Sequence, residues 1–180
     1  MHIVDYYAQD GGMLNSWSLE ICTEASGETT TTKAHLKAFL EGAYNPNTNL
    51  MRTELLNKDL IPLTQPYDIE PWYYEGNEYV ASHNDFPPNI LDWVLVEARS
   101  ATNDEQVLDR KAAFVRNDGL IIDTDGSEGV GFNNLAAGEA YYIVVRHRNH
   151  LANMSSEAIT LPNNTAVSYT HLTLPTSYPV

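Results

Sequence analysis

Residues 90–98, Ile-Leu-Asp-Trp-Val-Leu-Val-Glu-Ala, carry apolar side chains at both parities of an extended chain. Trp93 and Leu95 fall on one face, Val94 and Val96 on the other. Each large apolar side chain left in water forgoes about 1.5–3 kcal/mol of burial, so neither face can lie at a wet surface. Such a strand belongs in the middle of a sandwich or beneath a covering loop. Any fold for this chain must supply cover on both sides of it.

The segments around it read as further strands. Ala34, Leu36, Ala38 and Leu40 alternate with His35, Lys37 and Glu41 at strand period. Residues 112–115 (Ala-Ala-Phe-Val) and 120–122 (Leu-Ile-Ile) flank Asp118-Gly119, a hairpin signal because glycine accepts positive φ. Residues 141–145 form another buried run, and residues 158–161 suit a last strand. Residues 104–111 suit a helical turn or two, or equally an interstrand connection. The expected class is all-β: an antiparallel β-sandwich with turn signals between its strands.

Residues 44–89 are too long for an ordinary loop. They hold Pro46, Pro62, Pro66, Pro71, Pro87 and Pro88, which oppose extended helices. The expectation is short irregular strands packed over the sheet by Leu60, Ile61, Leu63, Tyr67, Trp72 and Tyr79. Ahead of the sandwich, residues 1–23 form a two-strand piece around a turn at Asp10-Gly11-Gly12. Residues 24–32, with a threonine run and no large apolar side chain, read as a linker to a module spanning 33–166.

The chain has 180 residues and a formal charge of −14 at neutral pH, a field that repels phosphate backbones and argues against nucleic-acid partners. The same acidity suits an exported protein or one that gathers divalent cations. A single cysteine, Cys22, excludes an intramolecular disulfide and a cysteine zinc cluster. It reads as a small buried hydrophobe rather than a nucleophile. No apolar run approaches the roughly 18 residues that span a bilayer, and the first residues lack the basic and apolar regions of a signal peptide. No Gly-x-Ser-x-Gly elbow, His-Glu-x-x-His helix or phosphate-binding glycine loop occurs, so the expectation is a non-catalytic chain.

Three clusters invite a binding role. Arg146-His147-Arg148-Asn149-His150 gathers cations at the end of a buried strand, and arginine forks grip planar anions. In a regular strand His147 and His150 point to opposite faces, which makes a poor metal site. The first expectation is a network tying these arginines to Asp92, Glu97 or the Asp123 turn. Asp123, Asp125 and Glu128 offer oxygen ligands for calcium. Gly126 stands fourth rather than sixth in that run, so a plain polar turn is expected first. Trp72, Tyr73, Tyr74 and Tyr79, beside Asp68, Glu70, Glu75 and Asn77, suit a stacking platform for polysaccharide. The competing and first expectation is a loop packed by its own aromatics.

Val4-Asp5, Asp10-Gly11-Gly12 and Leu14-Asn15-Ser16-Trp17-Ser18-Leu19 resemble the last two strands of the proprotein-convertase P domain, a jelly-roll found beside secreted peptidases and in bacterial surface proteins. The resemblance covers residues 3–22. It implies that 1–23 is the C-terminal remnant of such a domain, with a weak calcium possibility at Asp5 and Asp10. Lys37-Ala38-Phe39-Leu40-Glu41-Gly42, Pro71-Trp72, Asp92-Trp93-Val94-Leu95-Val96-Glu97 and Arg146-His147-Arg148-Asn149-His150 resemble a β-rich module of exported multidomain bacterial proteins. That resemblance, over residues 34–154, implies location and company rather than chemistry.

Residues 167–176 resemble the translation of a sequencing-library adapter. That implies a non-native tail, 167–180, outside the fold; the other reading is an edge strand, since the segment alternates at strand period. The functional expectation is a spacer, adhesion or glycan-contacting module of an extracellular or surface-attached protein, joined to other domains of one parent chain. The alternative is the accessory C-terminal region of a secreted subtilisin-like or metallo-peptidase.

Overall fold

The computed structural model describes residues 31–173. Residues 1–30, on which the expected two-strand piece with Asp5, Asp10 and Cys22 and most of the expected linker fall, lie outside the described residues.

The alternation over residues 34–40, expected as one strand, is divided at His35 into two that pair with different partners. Thr32–Ala34 (β1) and Leu36–Leu40 (β2) bury alternate residues on either side of His35. Short strands follow at Tyr44–Asn45 (β3) and Leu50–Met51 (β4), then a single helical turn at Glu54–Asn57 (α1). Ile90–Ser100 (β5) and Val107–Arg116 (β6) make the longest antiparallel pair. Leu120–Ile122 (β7), Val130–Phe132 (β8), Ala140–His147 (β9), His150–Met154 (β10), Ile159–Thr160 (β11) and Val167–Leu172 (β12) complete the set. Residues 107–111, where a helical turn was one alternative, are the start of β6.

One sheet runs β10-β9-β5-β6-β7-β2-β12, with β11 also on β9, and β1 pairs with β8 beside it. The expected sandwich is realised as a sheet curled towards a barrel. Its two ends approach one another: Leu151 N, on β10, donates to Thr173 O just past β12 at 3.0 Å. Every strand pair is antiparallel except β12 with β2. Residues 167–172, expected as a tail outside the fold, therefore occupy a sheet position. The physical reason is that strand alternation carries Tyr169 into the core, where its Oη donates to Ile143 O at 2.9 Å, and a register shift after Tyr169 turns Leu172 into the same core. Thr32, assigned to the linker, already belongs to β1, and its Oγ1 donates to Leu135 O at 2.8 Å.

Both faces of β5 are covered, by different means. Val94, Val96 and Ala98 join Leu36, Leu40, Ile143 and Tyr169 in the enclosed core. Trp93 and Leu95 face outward against Phe114 and Ile122, roofed by Ile61, Tyr67, Val80 and Phe86 from the proline-rich segment. Trp93 Nε1 donates to Pro62 O at 2.8 Å, and Tyr67 Oη to Trp93 O at 2.8 Å, so the roof is hydrogen-bonded to the strand it covers. Of the residues expected to pack this roof, Ile61 and Tyr67 are buried, and Leu63 and Trp72 partly so. Leu60 and Tyr79 face solvent at 60% and 68% exposure. Leu60 follows Asp59, whose positive φ turns the chain outward after α1.

A bulge between Ile90 and Asp92 shifts the parity of β5. Ile90 joins the outer cluster, and Leu91 joins the enclosed core beside the buried Asp92. Bulges of this kind re-aim side chains. The expected Asp-Gly hairpin joins β6 to β7: Gly119 has φ +87, its N donates to Arg116 O at 2.8 Å, and Arg116 grips Asp118. A Cβ on Gly119 would also stand 3.1 Å from Ala38 O. Gly119→Ala is expected to destabilise the protein by about 1 kcal/mol or more, read as a lower denaturation midpoint in urea.

Candidate functional site

The aromatic segment is built as a small hairpin with an irregular tip. Gln65 N donates to Glu78 O at 3.0 Å and Val80 N to Leu63 O at 2.7 Å, which pair its two arms. The Gln65 side chain braces the tip, accepting from Tyr67 N at 2.7 Å and donating to Gly76 O at 2.9 Å. The four aromatic residues expected as a platform, Trp72, Tyr73, Tyr74 and Tyr79, divide between two roles. Trp72 packs edge-on to Tyr67, with centroids 5.2 Å apart, and its carbonyl accepts from Arg110 Nη1. Tyr74 lies across Gly76, where any Cβ would collide with its ring, and its hydroxyl donates to Glu78 Oε1 at 2.6 Å. Burial first, and the Glu78 carboxylate second, push the Tyr74 phenol well above its ordinary range, so it keeps its proton.

Tyr73 and Tyr79 instead face solvent. Tyr73 is 64% exposed and sits at φ 43. A bulky residue at positive φ is held there against its own sterics. Depressions of about 630 and 410 Å³ open beside this tip and share Tyr74, Glu75 and Gly76. Asp109, Arg110 and Asn134 line the first, and Thr64, Asp68, Asn77 and Tyr79 line the second. Glu78 Oε2 is buried with no hydrogen-bond partner among the described residues.

The cationic run at the end of β9 forms the network expected of it. Arg148 Nη2 holds both oxygens of Asp92, at 2.9 and 2.8 Å, and His147 Nε2 stands 3.2 Å from Oδ2. Trp93 N donates to Oδ1 at 2.8 Å. Burial raises the Asp92 pKa, but the His147 hydrogen bond and the Arg148 charge outweigh it and hold the carboxyl below its usual range. Arg146 Nε lies 2.9 Å from Glu97 Oε1, and Arg99 takes Glu97 Oε2 at 2.8 Å. Both arginines proposed for anion capture are thus engaged by the protein's own carboxylates.

The two histidines do not diverge as a continuous strand would require. β9 ends at His147, Arg148-Asn149 make the turn, and β10 begins at His150, which is the cross-strand partner of His147. Their Nδ1 atoms stand 2.8 Å apart, and His150 Nε2 lies 3.0 Å from Glu41 O. Burial lowers the pKa of His150. A pocket of about 150 Å³ lined by Leu40, Ala43, Leu55 and Leu91 opens against Asp92 and the two imidazoles.

At the Asp123 turn, Lys111 Nζ contacts Asp123 Oδ2 at 2.8 Å while Thr124 N and Gly131 N donate to the same carboxylate. Asp125 accepts from Ser127 N within the turn, and Lys33 Nζ reaches Ser127 Oγ and Glu128 O. Two lysines therefore stand where a calcium ion would need negative oxygen. Among the described residues no three His, Cys, Asp or Glu side chains are grouped to hold a metal.

Sequence reasoning missed the part played by Glu78 and Gln65, which carry no motif; the signal for Asp92 was an acid inside an apolar strand. No protein-family description, no curated protein and no solved structure matches the chain.

Proposed function

We propose that this chain is a non-catalytic β-module of a larger exported or surface-attached protein, and that it contacts glycan through the tip bearing Tyr73 and Tyr79. The observation that carries the reading is Tyr73, a bulky aromatic at positive φ whose ring is turned to solvent. Backbone strain of order 1–3 kcal/mol persists where the surroundings over-determine it, and such outliers cluster at binding sites. An exposed ring packs on the C–H face of a pyranose, and Asp109, Asn134, Asp68 and Asn77 line the adjoining depressions to take hydroxyl groups.

Trp72 and Tyr74 hold the tip from below rather than meeting the ligand. Tyr73→Ala and Tyr79→Ala are therefore expected to lower retention on an insoluble polysaccharide, such as cellulose, chitin or xylan, with melting temperature unchanged within about 0.5 kcal/mol of stability. Trp72→Ala and Tyr74→Ala are expected to lower melting temperature. Wild-type protein that passes every column tested, or an equal loss of stability in the Tyr73 variant, sinks the glycan reading.

A further inference from the structure

We propose that His147 and His150 form a two-imidazole site for a divalent transition-metal ion, each ring binding through Nδ1. The site is independent of the tyrosine tip.

Proton accounting leads to it. Both outer nitrogens face groups that only accept: His147 Nε2 faces the Asp92 carboxylate, and His150 Nε2 faces the Glu41 carbonyl. Each Nε2 therefore carries its ring's hydrogen, and in neutral rings both Nδ1 atoms are bare. Those two bare nitrogens stand 2.8 Å apart. Two lone pairs at that distance repel unless a proton or a metal ion bridges them. Among the described residues the backbone donor on this side is Asn149 N, at 3.2 Å from His147 Nδ1, and it does not serve His150 Nδ1.

The distance suits a metal. Two nitrogens bound at right angles at about 2.0 Å each, the angle of square-planar copper or nickel, stand about 2.8 Å apart, whereas tetrahedral zinc sets them about 3.3 Å apart. Imidazole donors suit zinc, copper and nickel. Histidines that bind metal regularly donate their second N–H to a carboxylate or a backbone carbonyl, which fixes ring and tautomer. Both kinds of anchor are present here. A two-residue turn supplies the convergence, with β9 and β10 fixing the rings from either side. Water, or a donor atom from a small ligand in the adjoining pocket of about 150 Å³, completes the coordination.

Nickel chloride titrated into the metal-stripped full chain, followed by calorimetry and thermal melting, tests this. One equivalent is expected to bind, and at about a hundredfold excess over Kd the melting temperature is expected to rise by about 5 °C. His150→Ala is expected to weaken binding at least about tenfold, since loss of an outer anchor alone costs that much. His83→Ala, remote from the pair, is expected to bind as wild type does. Should the His150 variant fold poorly, imidazole nitrogen spectra of the wild type serve instead. Nickel is then expected to broaden the His147 and His150 Nδ1 signals before those of other histidines. Undiminished nickel binding by a folded His150→Ala protein overturns the proposal. So does a wild-type pair whose signals show a shared proton that nickel leaves untouched.

Discussion

Trp93→Ala is expected to cost about 3–5 kcal/mol of folding stability, the largest loss of any single aromatic truncation here. The indole is fully buried, lies against Phe114 with ring centroids 4.3 Å apart, and bonds to Pro62 O. Its removal opens a void between sheet and roof and leaves the Pro62 carbonyl without a donor. Two consequences should appear together in urea unfolding. The midpoint falls, and the proline-rich segment becomes accessible to protease at denaturant concentrations where the strands still hold. Stability within about 1 kcal/mol of wild type would mean that the roof is not packed as described.

The second large effect is electrostatic. Asp92→Asn keeps the shape but removes the charge that Arg148 and His147 share, and breaking a buried pair from one side costs about 3 kcal/mol or more. The sign with pH follows from the lowered pKa of Asp92 in the fold. A carboxyl whose folded value lies below its unfolded value near about 3.9 stabilises the protein above that pH. The contribution is lost as pH falls through the folded value. Wild type and Asp92→Asn are therefore expected to differ most at neutral pH and to converge on acidification. A gap that stays constant from neutral pH down to about 2 would place the stabilising role of Asp92 outside its charge.

Much of this architecture was legible because period and turn chemistry are local. The alternation from Ala34 to Leu40, the double-sided apolar run at residues 90–98 and Asp118-Gly119 each specify their own backbone. Cover over the outer face of β5 was legible too, since no other stretch was long enough to supply it. What sequence could not show was made by breaks in regularity. The histidines meet because the strand stops at His147, whereas parity along an unbroken strand sends them apart. Ile90 and Leu91 exchange faces through a bulge that leaves no mark in composition. Likewise Trp72, Tyr73, Tyr74 and Tyr79 read as one aromatic group. Only the backbone angle at Tyr73 and the contact of Tyr74 with Gly76 divide them into an outer pair and a supporting pair.

Closure of the curled sheet has a bearing on how the chain is made. His35 and Asn163 clasp one another across 128 residues, the amide of Asn163 meeting both the N–H and the carbonyl of His35. β12 then lies along β2. At ribosomal speeds of about 5–20 residues per second, β2 waits roughly 6–26 s for that partner. During the interval its bonding edge stands open on a nascent polypeptide, a template for pairing with any extended segment nearby.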